Sequence, residues 1–263
     1  FPYTTLFRSA VVKQLLEQRH EVYAVVRPGS SNLGHLLEAT RLSENPRELK
    51  KENDIKQTIV STNMKIIELD LHRIEDLQII ADVWMHIGWD GAGSENRKNR
   101  DVQQRNVAQS LAAVRAAAAA GCRRFIFTGS QAEYGLKHDW IHEDSECLPV
   151  SEYGKAKVDF SVAAKQLCKL LRMEYIHTRI FSIYGPGDHP WSLVNTCIQT
   201  WRQGGTMQFG ACTQQWNYLY IEDVADALCH FLTEGNSGFY NLASKDTRPL
   251  RSYIEEMYRL CGR

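Results

Sequence analysis

The sequence of 263 residues is long enough for one large α/β domain, or for a nucleotide-binding domain with a small second lobe. Its 31 basic and 31 acidic residues cancel, which gives no indication of a nucleic-acid partner or an anionic membrane surface. No apolar run approaches the ~20 residues that span a bilayer. The seven cysteines follow neither Cys-x-x-Cys nor a Cys/His metal pattern, so we expect free thiols in the reducing cytoplasm and no metal site.

Strand and helix patterns alternate along the first part of the chain. An apolar helical face runs from Ala10 to Leu16, and residues 21–26 are rich in β-branched types, which predicts a buried strand. Pro28-Gly29 then predicts a loop. Residues 43–63 are mostly polar or charged and predict an exposed insertion. Further strands are predicted over residues 64–69 and 83–87.

The middle of the chain carries the strongest helix signals. Gln104 to Ala120 predicts a helix that ends in five alanines before Gly121, a residue type that commonly follows a helix end. Ser151 is placed to cap another helix, which continues to about Met173. The alternation of strands and helices predicts an α/β fold with a parallel sheet covered on both faces. The remaining predicted elements are strands over residues 124–128 and 175–180 and helices over 221–232 and 253–260.

Three residues form a candidate catalytic set. Tyr153 and Lys157 are spaced i, i+4, which places a phenol and an ammonium on one face of a helix. A phenol of pKa ≈ 10 is a poor base at neutral pH, but a nearby lysine and a positive nicotinamide ring favour the phenolate. Ser130 follows a predicted strand at the end where α/β folds bind ligands, and its hydroxyl can hydrogen-bond a substrate oxygen. The alternative is an ordinary helix aromatic with a solvated lysine.

Three longer segments contain these residues and resemble a known family. Residues 125–135 (FIFTGSQAEYG) resemble the catalytic turn of this family, and residues 149–157 (PVSEYGKAK) resemble its active-site helix. Residues 179–187 (RIFSIYGPG) resemble the segment before its substrate lobe. The family is that of the extended short-chain dehydrogenases/reductases, the NAD-dependent epimerase/dehydratase family. The resemblance covers roughly residues 9 to 255. It implies a Rossmann-type, doubly wound parallel sheet in residues 1–180 and a small sugar-nucleotide lobe in residues 181–263.

The resemblance also implies roles for individual residues. It makes Ser130, Tyr153 and Lys157 catalytic, and it implies a homodimer whose four-helix bundle is built from the helices near residues 104–120 and 153–173. Contacts to the cofactor are implied for Asp70, Leu71, His86, Asn106, Tyr153 and Lys157, and contacts to the substrate for Gln131, Arg179 and Tyr184.

The implied reaction is hydride exchange between nicotinamide and C4 of a nucleotide-linked hexose or 4-keto hexose. Residues 89–91 and 129–135 most resemble a bacterial branch found among surface-polysaccharide genes, which includes 4-epimerases and 4-ketoreductases such as CDP-abequose synthase. Reductase and epimerase both stay open, the latter with tightly bound NAD. Gln131-Ala132 stands where dehydratases carry an acid–base pair, although Glu133 is a possible substitute. The sequence is also compatible with a non-catalytic nucleotide-binding protein and with an inactive fragment.

Arg27 carries the prediction of the cofactor. It follows the strand of residues 21–26 at the position where an acid binds the ribose diol of NAD. An arginine there, with Ser30 close by, suits a 2′-phosphate, so NADP(H) is favoured and NAD(H) is possible. The alternative is an arginine that is simply solvated at a strand end.

The first eight residues depart from the family pattern. A glycine-rich turn is expected before the first helix, where glycines let the backbone approach a diphosphate. Phe1 to Arg8 contains no glycine, and Gly91-Ala92-Gly93 follows the wrong strand. We expect Phe1 to Ser9 to be translated adapter sequence joined to a truncated gene, with a divergent terminus as the alternative. The family also continues beyond the helix predicted at residues 253–260.

Overall fold

The computed structural model describes residues 4–30, 33–39, 47–48, 55–92 and 95–262. The α-helices are α1 (Thr4–Glu17), α2 (Leu33–Ala39), α3 (Arg100–Ala119), α4 (Glu152–Leu170), α5 (Leu193–Arg202), α6 (Ile221–His230) and α7 (Leu250–Leu260). The strands are β1 (Val22–Val26), β2 (Arg47–Glu48), β3 (Lys56–Ser61), β4 (Met64–Glu68), β5 (Val83–His86), β6 (Arg124–Thr128), β7 (Glu174–Ile180), β8 (Ser182–Tyr184), β9 (Gln215–Tyr220), β10 (Gly238–Leu242) and β11 (Thr247–Pro249).

Three sheets organise these strands. One has the order β10-β7-β6-β5, and all its pairings are parallel. A second has the order β1-β4-β3-β2, in which β1 is parallel to β4 and the other two pairings are antiparallel. A small third sheet has the order β11-β9-β8. The predicted α/β class with parallel pairing is confirmed.

The central strand β6 shows how helices cover both faces. Phe125 and Phe127 are fully buried in one cluster together with Phe160 of α4. Ile126 lies between them in sequence and is buried in another cluster with Leu228 of α6. Successive side chains of a strand point to opposite faces, so α4 and α6 lie on opposite sides of the sheet. This is the doubly wound arrangement that the sequence predicts.

The prediction of an exposed insertion over residues 43–63 is wrong for residues 55–61. Most of these residues form β3, which pairs antiparallel with β4, and Ile55 and Val60 are buried. Lys56 also forms an ion pair with Glu68 at 3.2 Å. The β-branched residues of this segment favour a strand, and their hydrophobic side chains outweigh the polar composition around them. Residues 43–46 and 49–54 lie outside the described part of the chain.

The beginning of α1 differs from the prediction as well. The helix begins at Thr4 rather than near Ser9, because neither glycine nor proline interrupts residues 4–9. Within the part of the chain that the structure describes, β1 pairs only with β4 and β5 pairs only with β6. Each of these two strands therefore presents one edge without a hydrogen-bonded neighbour.

The chain after residue 180 contributes to more than one sheet. Helix α6 packs against α1, and β10 pairs with β7 in the main sheet, so this segment contributes to both the third sheet and the main one. A division into lobes at residue 180 stays a prediction. All seven cysteines lie in the described residues and none of them forms a disulfide there. No helix in the same residues is long and apolar enough to cross a membrane.

Candidate active site

The turn after β6 is built around Ser130. Its hydroxyl accepts a hydrogen bond from the backbone N–H of Ala132 at 3.2 Å. Its own backbone N–H donates to the Glu133 carboxylate at 2.8 Å. This reciprocal cap satisfies two backbone donors at the start of the 3₁₀-helix Gln131–Glu133, so the position of Ser130 is fixed by its neighbours.

Helix α4 brings Tyr153 to that turn. Ser151 caps the helix, with its hydroxyl accepting from the Gly154 backbone at 3.1 Å. Gly154 lies against the turn, and a Cβ at this position would stand only 2.5 Å from the Ala132 carbonyl oxygen. The missing side chain therefore permits the close approach that lets the Tyr153 hydroxyl share a hydrogen bond with the Ser130 side chain.

Lys157 lies one helical turn further on and is almost completely buried. Its Nζ donates to the Thr128 carbonyl at 2.7 Å and stands 4.1 Å from the centroid of the Trp89 ring. Burial is the largest of several causes that together lower the pKa of Lys157 to about 7; Glu133 opposes it, and the charges of Arg97 and Arg8 add to it. This lysine is consequently poised between its charged and neutral forms near neutral pH.

Tyr153 is buried too, and burial is the largest influence on its pKa. Burial raises the pKa of the Tyr153 phenol, while the Arg97 charge and the hydrogen bond with Ser130 lower it. The Arg97 guanidinium carbon lies 4.2 Å from the centroid of the Tyr153 ring. The net direction is upward, so the phenol carries its proton at neutral pH in this structure.

One pocket brings part of the predicted site together. It includes the predicted residues Ser130, Gln131, Tyr153 and Lys157, and it lies beyond the carboxyl end of β6, where parallel sheets bind ligands. The sequence analysis missed other members. Arg97 follows β5 at the same edge of the sheet, which was a usable signal. Phe181 and Trp216 come from the later segment. The remaining lining residues are Ala92, Thr128, Gly129, Ile180, Ser182 and Ile183.

Glu133 lies behind the turn and is completely buried. Its carboxylate contacts His177 Nε2 at 3.0 Å and accepts from Arg179 Nε at 3.0 Å. Burial alone would raise the pKa of Glu133, but the His177 contact, the Ser130 backbone and Arg179 hold it below its usual value. This carboxylate is not among the groups that line the pocket, which does not support its use as the acid–base group of a dehydratase.

Arg179 was predicted to contact the substrate, and the structure places it in this internal network. Besides Glu133, it donates to the Tyr134 hydroxyl at 2.8 Å and to the Glu143 carbonyl at 3.0 Å. Tyr184 packs its ring against Tyr218 and Tyr220. Neither Arg179 nor Tyr184 is among the described residues that line the pocket.

His86 joins β5 to α3, and Asn106 holds the loop that follows β5. Burial lowers the pKa of His86 to about 3, so its ring is neutral, and Nε2 lies 3.0 Å from the Ser110 hydroxyl. Asn106 exchanges two hydrogen bonds with the backbone of Asp90, at 2.7 and 2.9 Å. Gln103, which the sequence analysis missed, donates to the Gly91 carbonyl at 3.0 Å.

The remaining predicted cofactor residues lie at strand ends. Arg27 directly follows β1 and is exposed, with Nη1 3.9 Å from the Asp90 carboxylate. The backbone of Ser30 closes a turn onto the Arg27 carbonyl at 3.1 Å. Asp70 and Leu71 follow the neighbouring strand β4, where a 3₁₀-helix begins.

The positions of these residues suit the two ends of a nicotinamide dinucleotide. Tyr153 and Lys157 line the pocket at the reacting end, and Arg27 and Asp70 stand at the ends of two adjacent parallel strands, which suits the adenosine end. Between them, the helix α1 begins with Thr4–Ser9, which contains no glycine. The residues thus fit both ends of the cofactor, and a glycine loop for its diphosphate is missing from the described segment.

The chain belongs to the NAD dependent epimerase/dehydratase family, whose profile matches residues 8–243. One curated relative is the trifunctional UDP-glucose 4,6-dehydratase/UDP-4-keto-6-deoxy-D-glucose 3,5-epimerase/UDP-4-keto-L-rhamnose-reductase RHM1 of Arabidopsis thaliana. It is 28% identical over 144 residues, which is 52% of this chain and 22% of the relative. A dTDP-D-glucose 4,6-dehydratase of Mus musculus is 25% identical over 158 residues, 59% of this chain and 44% of the relative. The chain spans less than half the length of these relatives.

Solved structures resemble the whole chain. A UDP-glucuronic acid 4-epimerase from Bacillus cereus, in complex with NAD, matches with a TM-score of 0.80 at 18% identity, covering 100% of this chain and 82% of the other. A UDP-glucose 4-epimerase from Thermotoga maritima, with UDP-glucose, matches with a TM-score of 0.79 at 17% identity, covering 99% and 81%. At these identities the likeness shows the fold, and the predicted Rossmann-type architecture is confirmed.

Proposed function

We propose that this chain is the catalytic part of an NAD(P)-dependent enzyme that transfers hydride at C4 of a nucleotide-linked hexose or 4-keto hexose. One observation carries the proposal: Ser130, Tyr153 and Lys157 converge on one pocket beyond the end of β6, in a chain of the epimerase/dehydratase family. A non-catalytic nucleotide-binding protein has no need of this convergence.

The proton chemistry follows from these three side chains. Tyr153 exchanges a proton with the sugar O4, and Ser130 orients that oxygen through its hydroxyl. Lys157, held by the Thr128 carbonyl, favours the phenolate when it is charged. A bound nicotinamide supplies or accepts the hydride. The protonated phenol can donate to a ketone oxygen, and its phenolate can accept a proton from an alcohol, so these side chains serve either direction of the reaction.

A 4,6-dehydratase is the nearest competing activity, because the curated relatives named above include that activity in their names. Such a reaction removes water from the sugar and needs a further acid–base pair. Gln131 and Ala132 cannot supply one, and the Glu133 carboxylate is held by His177 and Arg179. This arrangement supports the reductase or the epimerase. A UDP-hexose 4-epimerase with tightly bound NAD is the second candidate, supported by the likeness to two 4-epimerases.

Other features of the protein are proposed on less direct grounds. The exposed Arg27 at the end of β1 supports NADP(H), with NAD(H) as the alternative. Helices α3 and α4 pack against each other, and we propose that the same two helices form the interface of a homodimer. Free thiols support a reducing compartment such as the cytoplasm. The role in surface-polysaccharide sugar metabolism rests on the resemblance alone.

The test is turnover by the chain and by its Tyr153→Phe variant, both also prepared with a glycine loop grafted before Ala10. Reduced nicotinamide dinucleotide with a nucleotide-linked 4-keto hexose tests the reductase, and UDP-glucose with NAD tests the epimerase. The variant is expected to lose about 10²–10⁴ in turnover, because it lacks the proton-transfer group, with little change in nucleotide affinity. Tyr258→Phe on the exposed face of α7 is the control. Near-normal turnover of Tyr153→Phe would contradict the proposal.

A further inference from the structure

Arg97 stands at the mouth of the reaction centre without a role in the mechanism above. It belongs to the 3₁₀-helix Asn96–Lys98 that follows β5, and it is half-buried. Its guanidinium lies over the face of the Tyr153 ring, 4.2 Å from the ring centroid. It therefore lies beside the residue that exchanges a proton with the sugar.

The loop around Arg97 is held in place. Gln103 is fully buried and donates to the Asn96 carbonyl at 2.9 Å and to the Gly91 carbonyl at 3.0 Å. Its side-chain oxygen accepts from Trp89 Nε1 at 2.8 Å. Gly91 has a φ of +64°, and a Cβ there would stand 2.6 Å from the side chain of Asn96. Gln103 therefore holds the backbone at Gly91 and at Asn96, the residue before Arg97.

No acceptor is assigned to this guanidinium within the described chain. No hydrogen bond or ion pair joins Arg97 to another described residue; it stacks on the Tyr153 ring, and its charge acts on Lys157. A guanidinium has five N–H donors, and withdrawing it from water is costly unless an acceptor or an opposite charge is present. The described residues that line the pocket contribute Arg97 and Lys157 as cations and no acid.

We propose that Arg97 binds an acidic group on the sugar next to its reacting carbon, so that the substrate is a nucleotide-linked hexuronic acid or its keto form. This inference rests on the proposed function. With O4 held at Ser130 and Tyr153, the carbon that bears the C6 carboxylate is bonded directly to C4. A guanidinium stacked on the Tyr153 ring is a neighbour of the reacting carbon, and we place the C6 carboxylate against it. Its planar fork matches a carboxylate with two parallel hydrogen bonds.

The experiment titrates UDP, UDP-glucose and UDP-glucuronic acid into the full chain and measures affinity by calorimetry, which needs no turnover. UDP-glucuronic acid is expected to bind about 10- to 100-fold more tightly than UDP-glucose, the range of a charge-assisted hydrogen bond. Arg97→Gln should remove this difference and leave UDP affinity unchanged. Arg97→Lys should keep part of it, because lysine is a point charge without the fork. Lys98→Gln, which removes a cation from the same 3₁₀-helix, is the matched control and should keep all of it.

The outcomes distinguish binding of the sugar carboxylate by Arg97 from binding of the diphosphate. Equal affinities for UDP-glucose and UDP-glucuronic acid in the unchanged chain would overturn the inference. It would also be overturned if Arg97→Gln weakened UDP as much as UDP-glucuronic acid, because the guanidinium would then serve the diphosphate. A chain that binds none of the three nucleotides contradicts the proposed function, and the inference fails with it.

Discussion

Glu133 shows how a single buried charge can hold an active-site turn. Its two carboxylate oxygens contact the Ser130 backbone, His177 and Arg179, and these contacts hold its pKa below the usual value despite complete burial. A carboxyl whose pKa is lower in the folded state than in the unfolded state stabilises the fold above its unfolded pKa. That contribution is lost as the pH falls through the folded pKa.

Glu133→Gln is therefore expected to destabilise the fold in a pH-dependent way. At neutral pH the loss should be about 3–5 kcal/mol, because Arg179 is left buried without its counter-charge. The difference between the two proteins should shrink as the pH falls through the lowered pKa of Glu133, where the native carboxylate is protonated too. Urea unfolding at several pH values measures both. Glu75→Gln, which removes an exposed ion pair with Arg115, should change little. A constant difference at all pH values would count against this account.

Residue types at fixed spacings were enough to predict part of the candidate site. Ser130, Tyr153 and Lys157 could be predicted because a phenol and an ammonium one helical turn apart have a specific chemistry. The Arg27 position could be predicted from its place after a strand. Gln103 could not, because a glutamine inside a helix becomes informative only when the carbonyls it contacts are located.

At the scale of elements, the junction between α4 and the turn after β6 depends on Gly154. A Cβ at this residue would meet the Ala132 carbonyl oxygen at 2.5 Å and the Pro149 side chain at 2.9 Å. A backbone oxygen in a capped turn cannot move aside without displacing the Ser130 cap. The start of α4 and the turn must therefore separate if a side chain is added here.

Gly154→Ala is predicted to destabilise the protein by about 1–3 kcal/mol through this overpacking, although alanine is the better helix residue. It should also lower turnover, because Tyr153 moves away from Ser130. Gly34→Ala in α2 is the matched control, since a Cβ there meets nothing within 4 Å. The control should be neutral or slightly stabilising. Thermal unfolding of both variants is the measurement, and a stabilised Gly154→Ala protein would refute the close contact with Ala132.

The long periodic segments were all predicted as elements, whereas several of the shorter elements were missed. Helices α3 and α4 could be predicted because their apolar residues repeat over many turns. Helix α5 was missed although Ser192 caps it and its apolar residues recur at helical spacing, so its signal was present in the sequence. Strand β3 was missed for a different reason. It is stabilised by pairing with β4, a tertiary contact that overrides the polar composition of the surrounding residues.

At the scale of the whole molecule, the two larger sheets are held together without a shared strand in the described residues. Strand β1 ends one sheet and β5 ends the other. Residues next to the strands make contacts here: Arg27 after β1 meets Asp90 after β5 at 3.9 Å, and Arg8 of α1 donates to the Ile87 carbonyl at 3.4 Å. An edge strand exposes backbone N–H and C=O groups, and within the described residues β1 and β5 each have such an edge.

Cofactor binding is expected to depend on the start of helix α1. Diphosphate binding on this fold depends on backbone N–H groups at a helix N-terminus, which a ligand can approach closely only where glycines carry no side chains. Helix α1 begins instead with Thr4–Ser9, which has no glycine. We therefore predict that the chain as written binds NADPH and NADH weakly. A version with a strand and a Gly-x-x-Gly-x-x-Gly loop grafted before Ala10 should bind them at least about tenfold more tightly, a gain of about 1.4 kcal/mol.

Calorimetry on the two proteins measures this difference, and a graft with its three glycines replaced by alanine is the control. The alanine version supplies the same strand, so any affinity that it lacks belongs to the close backbone approach rather than to repair of the sheet. In the glycine version, NADPH should bind more tightly than NADH if Arg27 meets a 2′-phosphate, and Arg27→Asp should narrow or reverse that order. Micromolar binding by the chain as written would show that α1 and Arg8 form a working site of their own, and the need for a glycine loop would be disproved.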